Sequence, residues 1–198
     1  MGYWGTLLAA RTHGELPAPL RDRDTDVRDD PDARRGDGWQ VVSVADNLIA
    51  DGAVLTSLTV ETGAPVLAAY IADSDYGWLT GVSPTREPWQ AWLDAPTAFV
   101  FERDHHVMTG MSRADADRRA REMRDGFGLT PAAAARRAVG WAAEAGYRVP
   151  ARPIRQILAT RRPPGLAAWL RLPWRRYVFA EEMFFNLLDR LGPPRVTA

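Results

Sequence analysis

From Tyr3 to Arg11 the chain is nearly continuous in aromatic and apolar residues, which suits a strand. Trp39 to Asp46 repeats the pattern. After Asp51, a residue suited to capping, Val54, Leu55 and Leu58 recur at helical spacing until Gly63 and Pro65 stop the run. Val66 to Ala72 is an apolar run of strand length, Asp73-Ser74-Asp75 has turn chemistry, and Tyr76 to Val82 follows, so a hairpin is expected. Pro88 then opens what the spacing of Trp89, Trp92 and Leu93 predicts as a short helix. Ala98 to Phe101 reads as one more strand.

The period changes after Ser112. Ser112 with Asp115 three residues later resembles a capping box, and Ala116, Ala120, Met123 and Phe127 form an apolar stripe ending near Gly126. Asp115–Arg119 and Asp117–Arg121 have the spacing of helical ion pairs, each worth about 0.2–0.5 kcal/mol. Thr130 and Pro131 start a second helix that runs to about Ala145, with Gly146 as its stop. Ile154, Ile157 and Leu158 predict a third helix within 153–160. Leu166 to Val178 is apolar but broken by Pro173. Glu181 and Glu182 suit the start of a last helix with the stripe Phe184, Leu187, Leu188 and Leu191, stopped by Gly192-Pro193-Pro194.

Strands first and helices afterwards predict an α+β fold. The expected architecture is an antiparallel or mixed sheet from residues 3–103, with a helical C-terminal half packed on it. The portions 1–110 and 111–198 then form one domain. Residues 12–38 fit neither period: they hold Pro17, Pro19 and Pro31, and seven aspartates interleave with five arginines between Arg21 and Asp37. That composition predicts a flexible charged loop, long enough to be mobile or functional.

Composition removes whole classes of chemistry. The chain of 198 residues has 25 basic and 25 acidic side chains, every basic one an arginine, and no cysteine. Without lysine there is no Schiff base and no phosphate-loop lysine. Without cysteine there is no thiol nucleophile, disulfide or thiolate metal site. No apolar run reaches the ~20 residues of a membrane span, and the first residues lack a signal-peptide pattern, so a cytoplasmic protein is expected. The net charge of zero conceals a division. Residues 1–110 hold 17 acids and 8 arginines, while residues 111–198 hold 8 acids and 17 arginines. Such asymmetry marks either an anionic partner or the pairing of one half with the other.

Four constellations are candidates for chemistry. Asp73, Asp75, His105 and His106, with Asp104, are the one tight group of metal-type ligands, and would support a metal-dependent hydrolase. Against this, aspartate is common at hairpin turns, and the calcium-loop pattern fails at Gly77 and Trp78. If Ala98–His106 were a strand, the adjacent histidines would face opposite ways. His13, His105 and His106 are the available imidazole bases, and no nucleophile elbow, dinucleotide or phosphate-loop pattern is present. Residues 112–147, around Phe127-Gly128-Leu129-Thr130-Pro131-Ala132 with Arg136 and Arg137, resemble the turn and recognition helix of helix-turn-helix regulators, which implies nucleic-acid binding. Ala132 to Ala135, however, offer no hydrogen bonds to base edges. Finally, Trp169, Trp174 and Tyr177 lie among Arg171, Arg175 and Arg176, residue types favoured at protein interfaces. Elsewhere such tryptophans complete a core while arginines reach outward.

Tyr3-Trp4-Gly5, Asp37-Gly38-Trp39-Gln40, Glu61-Thr62-Gly63-Ala64-Pro65 and Asp73-Ser74-Asp75 together resemble a group of actinobacterial cytosolic proteins with no established activity. The resemblance covers roughly the first hundred residues. It implies a bacterial origin and an α+β fold, and it assigns no site residues.

The residues favour a non-catalytic interaction protein of the adaptor, regulator or immunity kind. It would bind an acidic partner through Arg136, Arg137, Arg171, Trp174, Arg175, Arg176 and Tyr177, with no cofactor. Nucleic-acid binding through 112–147 is the alternative, and the metal-dependent hydrolase is the third reading.

Overall fold

The computed structural model describes residues 2–13, 17–21, 23, 25–27, 32–45, 47–49, 52–160 and 179–196. The elements in chain order are β1 (Gly5–Arg11), α1 (Ala18–Arg21), β2 (Thr25–Val27), β3 (Trp39–Val44), α2 (Gly52–Thr62), β4 (Val66–Ala72), β5 (Tyr76–Val82), β6 (Trp89–Leu93), α3 (Ala95–Met108), α4 (Arg113–Gly126), α5 (Pro131–Glu144), α6 (Ala151–Leu158) and α7 (Ala180–Leu191). The six strands form one antiparallel sheet in the order β2-β3-β1-β4-β5-β6. The fold is therefore α+β, with the sheet in the N-terminal half and mostly helices after it.

Helices cover both faces of the sheet, which explains why β1 and β4 read as unbroken apolar runs: in a strand, alternate side chains face opposite ways. Leu7, Ala9, Trp39, Val41, Leu67, Ala69, Ile71, Leu79, Ala91 and Leu93 join the buried faces of α5, α6 and α7 in the main core. Trp141 closes it, donating its indole N–H to the Val66 carbonyl at 2.9 Å. On the opposite face Leu8, Ala10, Val42, Val44, Val66 and Ala68 pack under Leu55 and Leu58 of α2. Further along that face, Ala72, Tyr76 and Trp92 meet Ala98 of α3 and Met123 of α4.

Local chemistry sets the helix ends as expected. The Ser112 hydroxyl oxygen accepts the Asp115 N–H at 3.2 Å, and Thr130 does the same for Ala133 at 3.4 Å. At α7 the Glu182 carboxylate accepts the Phe179 N–H at 3.2 Å. Gly192 ends α7 with a φ of 112°, where an added Cβ would strike the Tyr147 ring. The two ion pairs expected along α4 do not form. Arg118 takes Asp115, and Asp117 instead turns toward Arg103 of α3 at 4.0 Å.

Three expectations are corrected. Trp89–Leu93 is a strand, because Trp89, Ala91 and Leu93 alternate into the main core while Trp92 points to the other face. Gly81 lies opposite Trp89, and an added Cβ there would come within 2.3 Å of the indole. Ala98–Phe101 belongs to helix α3. Asp94 caps it, accepting the Thr97 N–H at 3.3 Å and its hydroxyl at 2.8 Å, and a proline stands in the first turn. Within 12–38, α1 and β2 are regular, β2 pairs with β3, and Ala33 and Arg35 are buried.

Candidate functional site

The helix-turn-helix resemblance breaks down in space. α4 packs beside α3 on one face of the sheet, whereas α5 packs with α6 and α7 on the other. The linker rounds the β6 edge, where the Leu129 N–H donates to the Gln90 carbonyl at 2.7 Å. Gly128 has a φ of 76°, and an added Cβ would sit 2.7 Å from that same carbonyl oxygen. Residues 112–147 thus wrap an edge strand and do not form a helix pair packed on itself.

The metal-type residues do not converge either. Asp73 and Ser74 turn the β4–β5 hairpin with φ of 51° and 60°, a region more tolerable for aspartate than for serine. Their side chains are used locally. The Asp73 carboxylate accepts the Gly2 N–H at 3.0 Å and the Trp4 indole N–H at 3.3 Å. Ser74 Oγ accepts the Tyr3 N–H at 2.8 Å and donates to Glu181 at 2.6 Å. This hairpin therefore latches the N-terminal residues to α7. His105 and His106 are on α3, their rings 5.8 Å apart, with His105 exposed. Among the described residues no three histidine, aspartate or glutamate side chains are placed to hold a metal ion.

The arginines divide into three kinds. On α4 Arg118 pairs with Asp115 at 2.6 Å, Arg119 with Glu122 at 3.9 Å and Arg124 with Asp125 at 2.8 Å, all on the same helix. Hydrogen bonds from the Ser112 hydroxyl and then Arg118 hold the Asp115 carboxyl below the usual carboxylate range, and one from Arg124 does so for Asp125. A second kind joins the halves of the chain. The Arg35 side chain is fully buried and meets Asp189 at 2.5 Å. Arg195 bridges Asp189 and Asp32, each at 2.5 Å. Burial would raise the Asp189 carboxyl, but hydrogen bonds and charge from Arg195 and Arg35 outweigh it, and the net direction is down. Arg86 meets Glu144 at 2.8 Å, and Arg137 meets Glu87 at 3.3 Å.

The third kind defines the site. Arg136 on α5, Arg148 in the α5–α6 connection, and Arg152 and Arg155 on α6 are all exposed. Among the described residues none of the four has a carboxylate partner. The two helices pack against each other. Their inward stripes, Ala134, Ala135, Ala138, Trp141 and Ala142 on α5 and Ile154, Ile157 and Leu158 on α6, fix the backbones from which the guanidinium groups extend. Such an arrangement can grip carboxylates in bidentate fashion. Of the residues expected from sequence, Arg136 is one of these four and Arg137 pairs with Glu87. Arg171, Trp174, Arg175, Arg176 and Tyr177 lie outside the described residues.

Two features escaped the sequence reading. One is the buried Arg35 clamp, whose carboxylate partner Asp189 stands 154 positions away. The other is an aromatic row across the sheet: Tyr70 stacks on Trp78 at 5.2 Å, Trp78 meets Trp92 at 5.5 Å, and Trp92 meets Phe127 at 4.7 Å. Tyr76 beside it is pushed well above the ordinary tyrosine range by burial and by Glu102, which accepts its hydroxyl at 3.3 Å. The alternation of Tyr70, Ala72, Tyr76 and Trp78 was a signal for this shared face. No family model, curated protein or solved structure matches the chain. No helix among the described residues is long and apolar enough to cross a membrane.

Proposed function

We propose that the chain is a non-catalytic interaction protein that binds an acidic protein surface through the arginines of α5 and α6. The observation carrying this reading is that Arg136, Arg148, Arg152 and Arg155 are exposed without a carboxylate on two packed helices and their connection, whereas Arg118, Arg119 and Arg124 of α4 meet acids of their own helix. Charges placed for solubility alone gain nothing from this segregation. A single-sign face held on rigid helices steers and orients an oppositely charged partner. An acidic protein is favoured over a duplex because α4 and α5 lie on opposite faces of the sheet, so no paired helix carries α5 into a groove.

The test measures fluorescence anisotropy of labelled polyglutamate peptide and of duplex DNA, at low and at ~150 mM salt, where surface charges are screened within ~8 Å. Salt-sensitive polyglutamate binding that weakens at least ~10-fold in Arg136→Glu/Arg152→Glu/Arg155→Glu supports the proposal, each tenfold being ~1.4 kcal/mol. Tighter binding of duplex DNA than of polyglutamate favours the nucleic-acid reading instead. Absence of binding to either probe overturns both. Reversal at Arg171, Arg175 and Arg176 measures separately whether the stretch with Trp174 and Tyr177 adds to the contact.

A further inference from the structure

We propose that a second copy of this chain docks on α3, antiparallel, about a two-fold axis passing between Asp104 and His105. The observations are independent of the arginine face, which lies across the sheet. α3 has a single fully buried side chain, Ala98. Phe101, Asp104, His105 and Met108 are all exposed, Phe101 by 36% and Met108 by 80%. Their spacing places them on one stripe of the helix. The Phe101 ring rests against Tyr76 at 5.5 Å, so it is held firm while part of it meets solvent.

The stripe is apolar at its ends and polar at its centre. A two-fold axis midway between Asp104 and His105 carries position 101 onto 108 and position 104 onto 105. Phe101 then receives Met108 of the partner subunit, a thioether-on-aromatic contact. The Asp104 carboxylate faces the partner's His105, whose ring N–H donates to it. The contact is isologous, so each pairing occurs twice. The match of donor to acceptor selects this register, because an axis through Asp104 itself would set one carboxylate against the other. Arg103 stands 2.7 Å from Asp104 and leaves part of the carboxylate exposed to accept a further donor. One helix pair buries less than the standard ~800 Å² per partner, so the association is a concentration-dependent equilibrium of monomer and dimer.

Equilibrium sedimentation of the full chain tests this. The mass of the unaltered protein rises toward twice the monomer as concentration increases. Met108→Ser and Asp104→Arg, each with an unchanged circular dichroism spectrum, weaken association at least ~10-fold. The double variant Asp104→Arg/His105→Glu rebuilds opposite charges across the axis and restores it. Monomer at every concentration overturns the proposal. So does Asp104→Arg associating as the unaltered protein does, or a folded double variant that stays monomeric.

Discussion

Replacing Asp189 by alanine removes the one carboxylate shared by Arg35 and Arg195. Arg35 then keeps a fully buried guanidinium whose remaining acceptors are the carbonyls of Asp32 at 2.6 Å and Pro193 at 3.3 Å. Breaking a buried pair by deleting one partner costs about 3–5 kcal/mol. Asp189 itself keeps 25% side-chain exposure, which admits water and places the expected loss near the lower end, about 3 kcal/mol. The Arg195–Asp32 contact is largely exposed and contributes little, at most ~1 kcal/mol. For a chain of this size each kcal/mol moves the midpoint by about 2–4 °C, so thermal unfolding followed by circular dichroism should shift down by ~6–12 °C. The same carboxylate gives a pH signature. Its folded pKa is depressed, so it binds protons less readily than in the unfolded chain. The stability it provides is complete above the ordinary aspartate range and is lost as pH falls toward its folded value. Asp189→Asn should flatten that part of the acid limb. A midpoint shift under ~2 °C for Asp189→Ala, or an unchanged acid limb for Asp189→Asn, would refute the claim that Arg35 depends on this partner.

Other consequences of the fold are as specific. Thr130→Ala removes the acceptor for the Ala133 N–H and should cost about 1 kcal/mol in urea unfolding, with the slope unchanged. Gly81→Ala forces a methyl into the Trp89 indole and should cost about 1–3 kcal/mol, accompanied by a change in tryptophan emission.

The fold was legible where one local rule decided the outcome. β1, β4 and β5 are long enough for their apolar content to exclude a loop, and Ser112, Thr130 and Gly192 mark helix ends by side-chain chemistry or backbone freedom that any context would use. Reading failed where a short run suited two periods. Trp89, Trp92 and Leu93 fit a helical stripe, yet Trp89, Ala91 and Leu93 alternate equally well, and only the exposed edge of β5 decides between them. Ala98–Phe101 was too short to judge alone, although Asp94, Pro96 and Thr97 already spelled a helix start. β2 carries no pattern of its own; it is a strand because β3 offers backbone groups to pair with.

The charge division shows the same limit of one-dimensional reading for the candidate site. Read along the chain, an acidic half and a basic half suggest either mutual neutralisation or a shared anionic partner. In space the ion pairs joining the halves run both ways. Arg35 and Arg86 of the first half bind Asp189 and Glu144 of the second, while Arg137 and Arg195 of the second bind Glu87 and Asp32 of the first. Two pairs run each way, so their effects cancel and the imbalance between the halves stays as it was. On α4, Arg118, Arg119 and Arg124 meet acids of the same helix. Part of the excess is the four arginines of α5, α6 and their connection that meet no carboxylate among the described residues, and five further arginines stand at 161–176 with no acid among them. Locating it required knowing which arginines already had partners, and the partners of Arg35, Arg137 and Arg195 are brought near by the sheet and the packing of α5 and α7, not by sequence spacing.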